Sequence, residues 1–276
     1  MYVQPADAPR RKPVTVPGLR AMKARGEKIV VLTCYDASFA AAMEAVGVDV
    51  ALVGDSLGNV IQGQSSTVPV TLDHMVYHAS LVARGLTSTL LVVDLPFMQY
   101  RDPATALASA ARLMTEGGAA MLKMEGGADW ACEVIAALTV RDVPVCAHLG
   151  LTPQSVHKMG GYRMQGKTDE AAARLRAEAM AVVDAGAELL VLESVPAALA
   201  AEITRAVAIP TIGIGAGVEC DGQVLVCYDL LGLTPGRRPK FSKDFLVGRG
   251  SVREAFAAYA DDVRAGRFPG PEHIAG

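Results

Sequence analysis

Four acidic residues stand at the ends of short apolar runs, and this repetition is the strongest chemical pattern in the sequence. They are Asp55, Asp94, Glu125 and Glu193. Apolar runs of this length are typical of strands that are buried on both faces of a parallel sheet. An unpaired carboxylate is expensive to bury there, so each needs a cation or a hydrogen-bond donor. One such strand end could be an accident, but four indicate a site.

The acids predict a hard cation. Carboxylates that converge at one place repel one another unless a cation lies among them, and oxygen ligands without Cys or His suit Mg²⁺ better than Zn²⁺. Lys123 stands two residues before Glu125, so both side chains should face the same side of their strand. The alternative is that each acid pairs with a nearby Lys or Arg or caps the following helix. It explains one acid readily, but not four at the same end of successive strands.

The elements that must position these residues are predicted strands separated mostly by helices. Eight apolar runs are assigned as strands: 29–34, 48–53, 89–94, 119–125, 143–148, 189–193, 211–214 and 224–228. The composition shows no internal break, which favours one parallel α/β domain. Eight strands favour closure into a barrel over a doubly wound sheet, and a barrel's site lies at the C-terminal strand ends. His148, which ends the fifth predicted strand, should therefore lie beside the acids.

Composition excludes several other classes of protein. The formal charge of −3 gives no basic face for nucleic acid, and the five cysteines contain no CxxC pair. Residues 1–13 carry three prolines and no apolar signal segment, which predicts a disordered tail before a single domain over 14–276. No apolar stretch approaches the ~20 residues of a membrane span. We therefore expect a soluble, cytoplasmic protein with no membrane partner.

Two weaker motifs are better explained by structure than by ligand binding. His74 and His78 stand one helical turn apart, as in zinc proteases, but no Glu follows His74. The glycine-rich turn 213–217 could hold a phosphate at the start of a helix, but it lacks the full dinucleotide fingerprint. By contrast, the long polar loops 58–69 and 151–167 are of the kind that usually carry function.

Several segments resemble the signature segments of the ketopantoate hydroxymethyltransferase family. They are VGDSLG (53–58), TVPVTL (67–72), DLPF (94–97), KMEGG (123–127), AHLGLTPQ (147–154), GIGAG (213–217) and DGQVLV (221–226). The resemblance covers about residues 15–265, in the order of the family, and so many long segments together are highly specific.

The resemblance implies a Mg²⁺-dependent (β/α)8 TIM barrel of the phosphoenolpyruvate/pyruvate type that assembles as a homodecamer. Such an enzyme transfers a hydroxymethyl group from 5,10-methylenetetrahydrofolate to 3-methyl-2-oxobutanoate. The product is 2-dehydropantoate, and the reaction is the first committed step towards pantothenate. The expected partners are therefore a small 2-oxo acid and a folate.

The resemblance also separates the four acids. Asp55, Asp94 and Glu125 match the positions of the metal ligands, and Glu193 matches the proton acceptor. The chemistry agrees, because removing a proton beside a ketone leaves negative charge on the carbonyl oxygen, which a Lewis acid stabilises. Glu193, predicted at least one strand away from the other acids, can stay free of the ion and act as the base.

Further positions match contacts with the 2-oxo acid. Ser56 and Lys123, together with Asp55 and Asp94, match the substrate contacts, and His148 matches a residue of the same pocket. Lys123 would place positive charge near the carboxylate or the enolate oxygen. Ser56 is therefore expected to contact the substrate rather than to cap a helix.

Two alternatives stay open at this stage. A Mg²⁺-dependent carbon–carbon lyase or phosphonomutase of the same barrel class would share the metal acids. Such enzymes commonly carry a reactive Cys in a loop near the site, and the loops 58–69 and 151–167 contain none. A non-catalytic barrel that binds a small ligand would use the acids for structure only, so Glu193→Gln would leave its behaviour unchanged.

Overall fold

The barrel predicted from the sequence is confirmed by a computed structural model, which describes residues 11–234 and 238–274. Its strands are β1 (Ile29–Thr33), β2 (Val50–Val53), β3 (Leu90–Asp94), β4 (Met121–Glu125), β5 (Val145–Gly150), β6 (Leu189–Glu193), β7 (Thr211–Ile214) and β8 (Gly222–Leu225). They follow one another in sequence order around a closed barrel. The pairing of β8 with β1 is parallel, like every other pairing, and it closes the sheet.

Most of the longer helices cover the outside of the barrel, whereas Leu19 of the first helix packs with the residues inside it. The helices are α1 (Val16–Arg25), α2 (Ala37–Ala45), α3 (Leu57–Val60), α4 (Leu72–Gly85), α5 (Pro103–Thr115), α6 (Asp129–Thr139), α7 (Val156–Met159), α8 (Asp169–Asp184), α9 (Ala197–Ala206), α10 (Cys227–Leu230) and α11 (Val252–Arg264). Short 3₁₀ turns occupy Pro153–Ser155 and Pro271–His273. Asp36, Thr71 and Asp102 begin their helices by accepting backbone N–H groups of the first turn, which satisfies donors that the helix cannot pair. None of the described helices is both long and apolar enough to cross a membrane.

The strands divide the core into two layers. Val50 and Leu52 of β2 pack inside the barrel, whereas Ala51 and Val53 pack against the surrounding helices. This alternation follows from the strand geometry, in which successive side chains point to opposite faces. In β4, Met121 points into the barrel, so the side chains two and four positions later also point inward. The periodicity of β4 therefore places Lys123 and Glu125 in the barrel interior, as predicted.

Several strand boundaries differ from the prediction: β1 ends one residue earlier, β2, β3, β4 and β5 begin one or two residues later, and β5 ends two residues later. The eighth strand differs at both ends. The eighth strand was predicted over 224–228, but it is Gly222–Leu225, and Cys227–Leu230 forms the short helix α10. Gly222 can begin the strand because it has no side chain, since a Cβ there would collide with the carbonyl oxygen of Ile29. Beyond Leu225, the Cys227 N–H donates to Thr33 Oγ1 at 2.9 Å, and the chain turns away from the sheet.

The N-terminal end of the barrel contains a buried acid with several partners. Asp49 is 1% exposed and directly precedes β2. Its Oδ2 accepts the backbone N–H of Val30 at 2.9 Å and lies 3.7 Å from the Arg264 guanidinium, and its Oδ1 pairs with Arg11. Arg11 belongs to the segment 1–13 that is predicted to be disordered. Residues 1–10 lie outside the described residues, and for them the disorder stays a prediction.

Candidate active site

The C-terminal ends of the strands surround a cavity of about 910 Å³. Every residue that the sequence predicts for the site lines this cavity: Asp55, Ser56, Asp94, Lys123, Glu125, His148 and Glu193. They are far apart in the chain but close in space, because parallel strands bring their carboxyl ends to one rim.

Asp55, Asp94 and Lys123 form a tight group on one side of the cavity. The backbone N–H of Asp55 donates to Asp94 Oδ2 at 3.0 Å, and Lys123 Nζ lies 2.7 Å from Asp94 Oδ1. Gly54 permits the sharp turn after β2, since a Cβ there would lie 2.7 Å from Ser56 Oγ. The ammonium group of Lys123 is thus the cation that partners the acids here.

His148 stands between this group and Glu193. Its Nδ1 lies 3.4 Å from Lys123 Nζ and 3.6 Å from Glu125 Oε1, and its Nε2 lies 3.2 Å from Glu193 Oε2. The arrangement follows from the register, which places Glu125 beside His148 on neighbouring strands. Burial and the nearby Lys123 charge hold the pKa of His148 well below its usual range, so the imidazole is neutral at physiological pH.

Burial strongly perturbs the carboxyl groups. Burial and the charge of Asp94 raise the pKa of Asp55 to about 7, and burial and Asp55 raise the pKa of Glu125 well above its usual range. Burial also raises the pKa of Glu193 to about 7, although Lys123 opposes this shift. Perturbed groups gathered in a cavity are typical of functional sites. For Lys123, burial disfavours the charge, but Asp94, Glu125 and Asp55 outweigh it and raise its pKa.

The donor set fits Mg²⁺ chemically. Within the described residues, Glu125 Oε1 is buried without a hydrogen-bond partner, and so is Asp94 Oδ1, which has only the poorly aligned ion pair to Lys123. Such oxygens, in a group of mutually repelling carboxylates, are ligands that a hard cation would satisfy. Among the same residues, no three Asp, Glu, His or Cys side chains are already gathered closely enough to hold a metal ion.

Ser56 does not cap a helix. It directly precedes α3, but its side chain makes no bond to the helix N-terminus. Its Oγ lies 2.8 Å from the hydroxyl of Tyr35, which is 2% exposed. Tyr35 was not predicted from the sequence, because no motif marks a tyrosine just beyond β1 as a neighbour of Ser56. Its hydroxyl fixes the position of the Ser56 hydroxyl at the cavity wall.

Gln154 is a second residue of the site that sequence reasoning missed. Its side chain donates to Asp55 Oδ2 at 2.8 Å, and its backbone N–H donates to Glu125 Oε2 at 3.0 Å. The residue lies in the AHLGLTPQ segment (147–154) that carries the family resemblance, so the segment was recognised but not this contact. The only available signal was an uncharged polar residue shortly after His148.

The backbone beside Glu193 is closely packed. Its carbonyl oxygen accepts the N–H of Leu151 at 2.8 Å. Gly150 ends β5 with φ of +92°, and a Cβ at this position would collide with that carbonyl. Ser194, which follows Glu193, has φ of +48°, a left-handed conformation that is unfavourable for a residue with a side chain. The contacts of both strand ends therefore fix where the Glu193 side chain starts.

The two weaker motifs occupy structural positions. His74 completes the cap of α4 with Thr71, and His78 Nδ1 contacts the carbonyl oxygen of Tyr35 at 2.8 Å. In the turn 213–217, the backbone of Gly215 packs so closely on Phe241 that a Cβ would lie 3.1 Å from its ring. These contacts support the structural explanation of both motifs.

A parallel (β/α)8 barrel whose carboxyl end holds a cavity lined by buried acids, a histidine and a buried lysine has the architecture and site placement of TIM-barrel enzymes. Solved structures agree with the fold. 2,3-Dimethylmalate lyase, a member of the PEP mutase/isocitrate lyase superfamily, is 20% identical with a TM-score of 0.56, covering 79% of this chain and 82% of that one. Phosphonopyruvate hydrolase in complex with oxalate and Mg²⁺ is 13% identical with a TM-score of 0.61, covering 90% and 95%.

Sequence comparison identifies the family. The ketopantoate hydroxymethyltransferase family model matches residues 13–271. A relative from Ralstonia pickettii is 59% identical over 95% of this chain and 96% of its own length, and one from Burkholderia thailandensis is 57% identical over 99% and 98%. Both are named 3-methyl-2-oxobutanoate hydroxymethyltransferase. The chain therefore belongs to the ketopantoate hydroxymethyltransferase family, as the resemblance predicted.

Proposed function

We propose that this enzyme transfers a hydroxymethyl group from 5,10-methylenetetrahydrofolate to 3-methyl-2-oxobutanoate, giving 2-dehydropantoate. The names of its relatives support the transferred group and the acceptor. The observation that carries the mechanism is the position of Glu193. Within the described residues its carboxylate pairs with His148 and with no Lys or Arg, so it can accept a proton without first breaking an ion pair.

The three other acids are the proposed Mg²⁺ ligands. Asp55, Asp94 and Glu125 have side chains that are almost fully buried, and among the described residues the one Lys or Arg within ion-pair distance of them is Lys123, so they form a site with excess negative charge. When bound, Mg²⁺ supplies a Lewis acid that draws negative charge onto the 2-oxo oxygen of the substrate.

Lys123 and Ser56 are the proposed contacts with the 2-oxo acid. Lys123 is 5% exposed and its ammonium lies among the acids, so its attraction for an anion is little screened by water. It would stabilise the carboxylate or the enolate oxygen of the substrate. The Ser56 hydroxyl, positioned by Tyr35, would donate a hydrogen bond to the same end of the molecule.

Glu193 is the proposed base. It takes the proton from C3 of the 2-oxo acid, and the electrons of the C–H bond form the C2–C3 double bond of an enolate. A pKa of about 7 suits this step, because such a carboxylate is substantially ionised at neutral pH yet more basic than an exposed one. His148 is neutral, and its Nε2 lies 3.2 Å from Glu193 Oε2 without the alignment of a hydrogen bond, while its Nδ1 accepts from Lys123. The imidazole therefore lies beside the base without placing a positive charge on it.

The one-carbon donor completes the reaction. Water adds to the methylene carbon of the folate and both C–N bonds to that carbon break, which releases tetrahydrofolate and formaldehyde. C3 of the enolate then bonds to the formaldehyde carbon, and the formaldehyde oxygen takes up the proton held by Glu193 to become the hydroxyl group. The cavity of about 910 Å³ is at the upper end of the range for small-molecule sites, and a small 2-oxo acid fills only part of it. The remaining space supports a second, larger ligand.

The proposal includes assembly as a homodecamer in the cytoplasm. Sedimentation analysis of the purified protein would test the number of subunits.

Proton exchange tests the first chemical step without the folate. The protein is mixed with Mg²⁺ and 3-methyl-2-oxobutanoate in D₂O, and loss of the C3 proton signal is followed by NMR. We expect exchange far above a no-enzyme control, and its loss in Glu193→Gln. Exchange no faster than the control would refute the enolate mechanism. Exchange that survives Glu193→Gln would leave the reaction class standing and remove Glu193 as the sole base.

A further inference from the structure

We propose that Gln154 is a positioning residue that holds Asp55 and Glu125 in the arrangement needed to bind one cation. The inference rests on the proposed function, because it takes both acids to be cation ligands. It goes beyond that function in assigning how two acids from different strands keep a fixed separation. Gln154 itself touches neither the ion nor the substrate in this proposal.

Gln154 contacts both acids at once through different groups. Its side-chain Nε2 donates to Asp55 Oδ2 at 2.8 Å, and its backbone N–H donates to Glu125 Oε2 at 3.0 Å. The same Nε2 also donates to the carbonyl oxygen of Leu95 at 3.0 Å. The residue is 6% exposed, so water competes little for these bonds. One residue thus connects the chain after β2, the chain after β3 and the end of β4.

A third contact determines how the amide is oriented. The Tyr100 hydroxyl donates to Gln154 Oε1 at 2.6 Å, which leaves the NH₂ group to face Asp55 and Leu95. The opposite orientation would set the amide oxygen against a carboxylate and a carbonyl, so the network excludes it. Tyr100 is 5% exposed and its ring stacks on Trp130 at a centroid distance of 6.0 Å.

The bonds to Gln154 use one oxygen of each acid and leave the other available. Glu125 Oε1 has no hydrogen-bond partner among the described residues, and Gln154 bonds only Oδ2 of Asp55. Hydrogen bonds to ligating carboxylates commonly orient them towards the ion, and losing such a partner typically weakens metal affinity about 10- to 100-fold. The Pro153–Ser155 3₁₀ turn anchors Gln154 on the backbone.

Metal affinity tests the inference independently of turnover. Mn²⁺ takes oxygen ligands as Mg²⁺ does, and free Mn²⁺ can be counted by EPR during titration of the purified protein. Gln154→Leu should weaken Mn²⁺ binding about 10- to 100-fold. Gln223→Leu is the matched control, because Gln223 is 2% exposed and its Nε2 donates to Gly217 at 2.9 Å, away from the cavity. The control should bind Mn²⁺ like the parent protein.

A second variant covers the case in which Gln154→Leu does not fold. Tyr100→Phe removes only the hydroxyl that orients the amide, and it should weaken Mn²⁺ binding severalfold, less than Gln154→Leu. Parent-like affinity in a folded Gln154→Leu protein, or failing that in Tyr100→Phe, would overturn the inference, as would equal weakening in Gln223→Leu. Failure of the parent protein to bind Mn²⁺ is a different result, because it refutes the ligand assignment in the proposed function itself.

Discussion

Asp49 and Asp55 flank the same strand, β2 (Val50–Val53), and both are buried, but their surroundings differ. Asp49, at the N-terminal end, meets two arginines and a backbone N–H. Asp55, at the C-terminal end, lies beside Asp94, and its carboxylate receives a neutral amide donor from Gln154. Its pKa is raised to about 7, by burial and by that neighbouring charge.

The difference separates an acid that holds the barrel together from one that serves a ligand. At the N-terminal end the carboxylate is matched by cations, as folding alone would favour. At the C-terminal end several acids surround the buried ammonium of Lys123, an arrangement that lowers stability unless something else binds there. Such local conflicts are expected at functional sites.

The largest effect should come from the base. Glu193→Gln keeps the shape of the side chain but cannot accept a proton, so kcat should fall by about 10²- to 10⁴-fold while thermal unfolding stays close to that of the parent. Steady-state turnover with both substrates measures the change. Asp49→Asn, at the other end of the barrel, is the control and should leave kcat of the folded enzyme unchanged. A Glu193→Gln enzyme within tenfold of the parent would contradict the assignment.

The two aspartates should respond oppositely to the same substitution. Asp49→Asn leaves Arg11 and Arg264 without their carboxylate and should lower the free energy of unfolding by about 2 kcal/mol. Asp55→Asn removes a repelled charge, so the metal-free protein should be as stable as the parent or more so, while Mg²⁺ affinity is lost. Urea unfolding with EDTA and calorimetric Mg²⁺ titration measure the two effects. Equal destabilisation by both substitutions would contradict the different roles assigned to Asp49 and Asp55.

The pH dependence should show the raised pKa of Glu193. Because its carboxyl must be ionised to accept a proton, kcat/KM should rise with pH through about 7, falling about tenfold per pH unit well below it. The free energy of unfolding should change with pH in the opposite direction. Because the pKa of Glu193 is higher in the folded protein than its unfolded value near 4.5, this group stabilises the fold below pH 4.5, and the stabilisation is lost as pH rises through about 7. A flat kcat/KM between pH 5 and 8 would argue against this base.

A smaller effect is expected for Glu44, near the N-terminal end. Burial favours its neutral form, but hydrogen bonds from Ser88, Thr87 and Thr89 outweigh burial and lower its pKa to about 2. Because the pKa is depressed, its contribution is present above about 4.5 and lost as pH falls towards 2. Glu44→Gln should lower the free energy of unfolding by about 1 kcal/mol at pH 7 and leave turnover unchanged. The difference in free energy of unfolding between the parent and the Glu44→Gln protein should be smaller at pH 3 than at pH 7.

Much of this contrast could be predicted from the sequence, because it depends on local patterns. Apolar runs that end in an acid mark both the strands and the rim of the site, and the two-residue period places Lys123 and Glu125 on one face. The resemblance adds roles for Ser56 and His148 that the runs alone do not supply. The structure brings all the predicted site residues to one cavity.

The contacts that were missed join distant parts of the chain. Tyr100 and Gln154 are 54 residues apart, and Gln154 and Asp55 are 99 apart, so no local pattern records that they meet. The eighth strand was placed too late for a related reason. Val226 and Cys227 are apolar enough to continue a strand, but the bond from Cys227 to Thr33 ends it, and that bond depends on β1.

Position 150 should not tolerate substitution, although Gly150 is not one of the proposed catalytic groups. Any larger residue there would place a carbon atom against the backbone carbonyl of Glu193 and impose a side chain on a left-handed conformation. The smallest change, Gly150→Ala, would therefore displace the β5 and β6 ends relative to each other. In a saturation library of this enzyme, position 150 should accept glycine alone. Neutral substitutions can therefore accumulate in the loop around it, but not at Gly150, which sets the distance between the β5 end and Glu193.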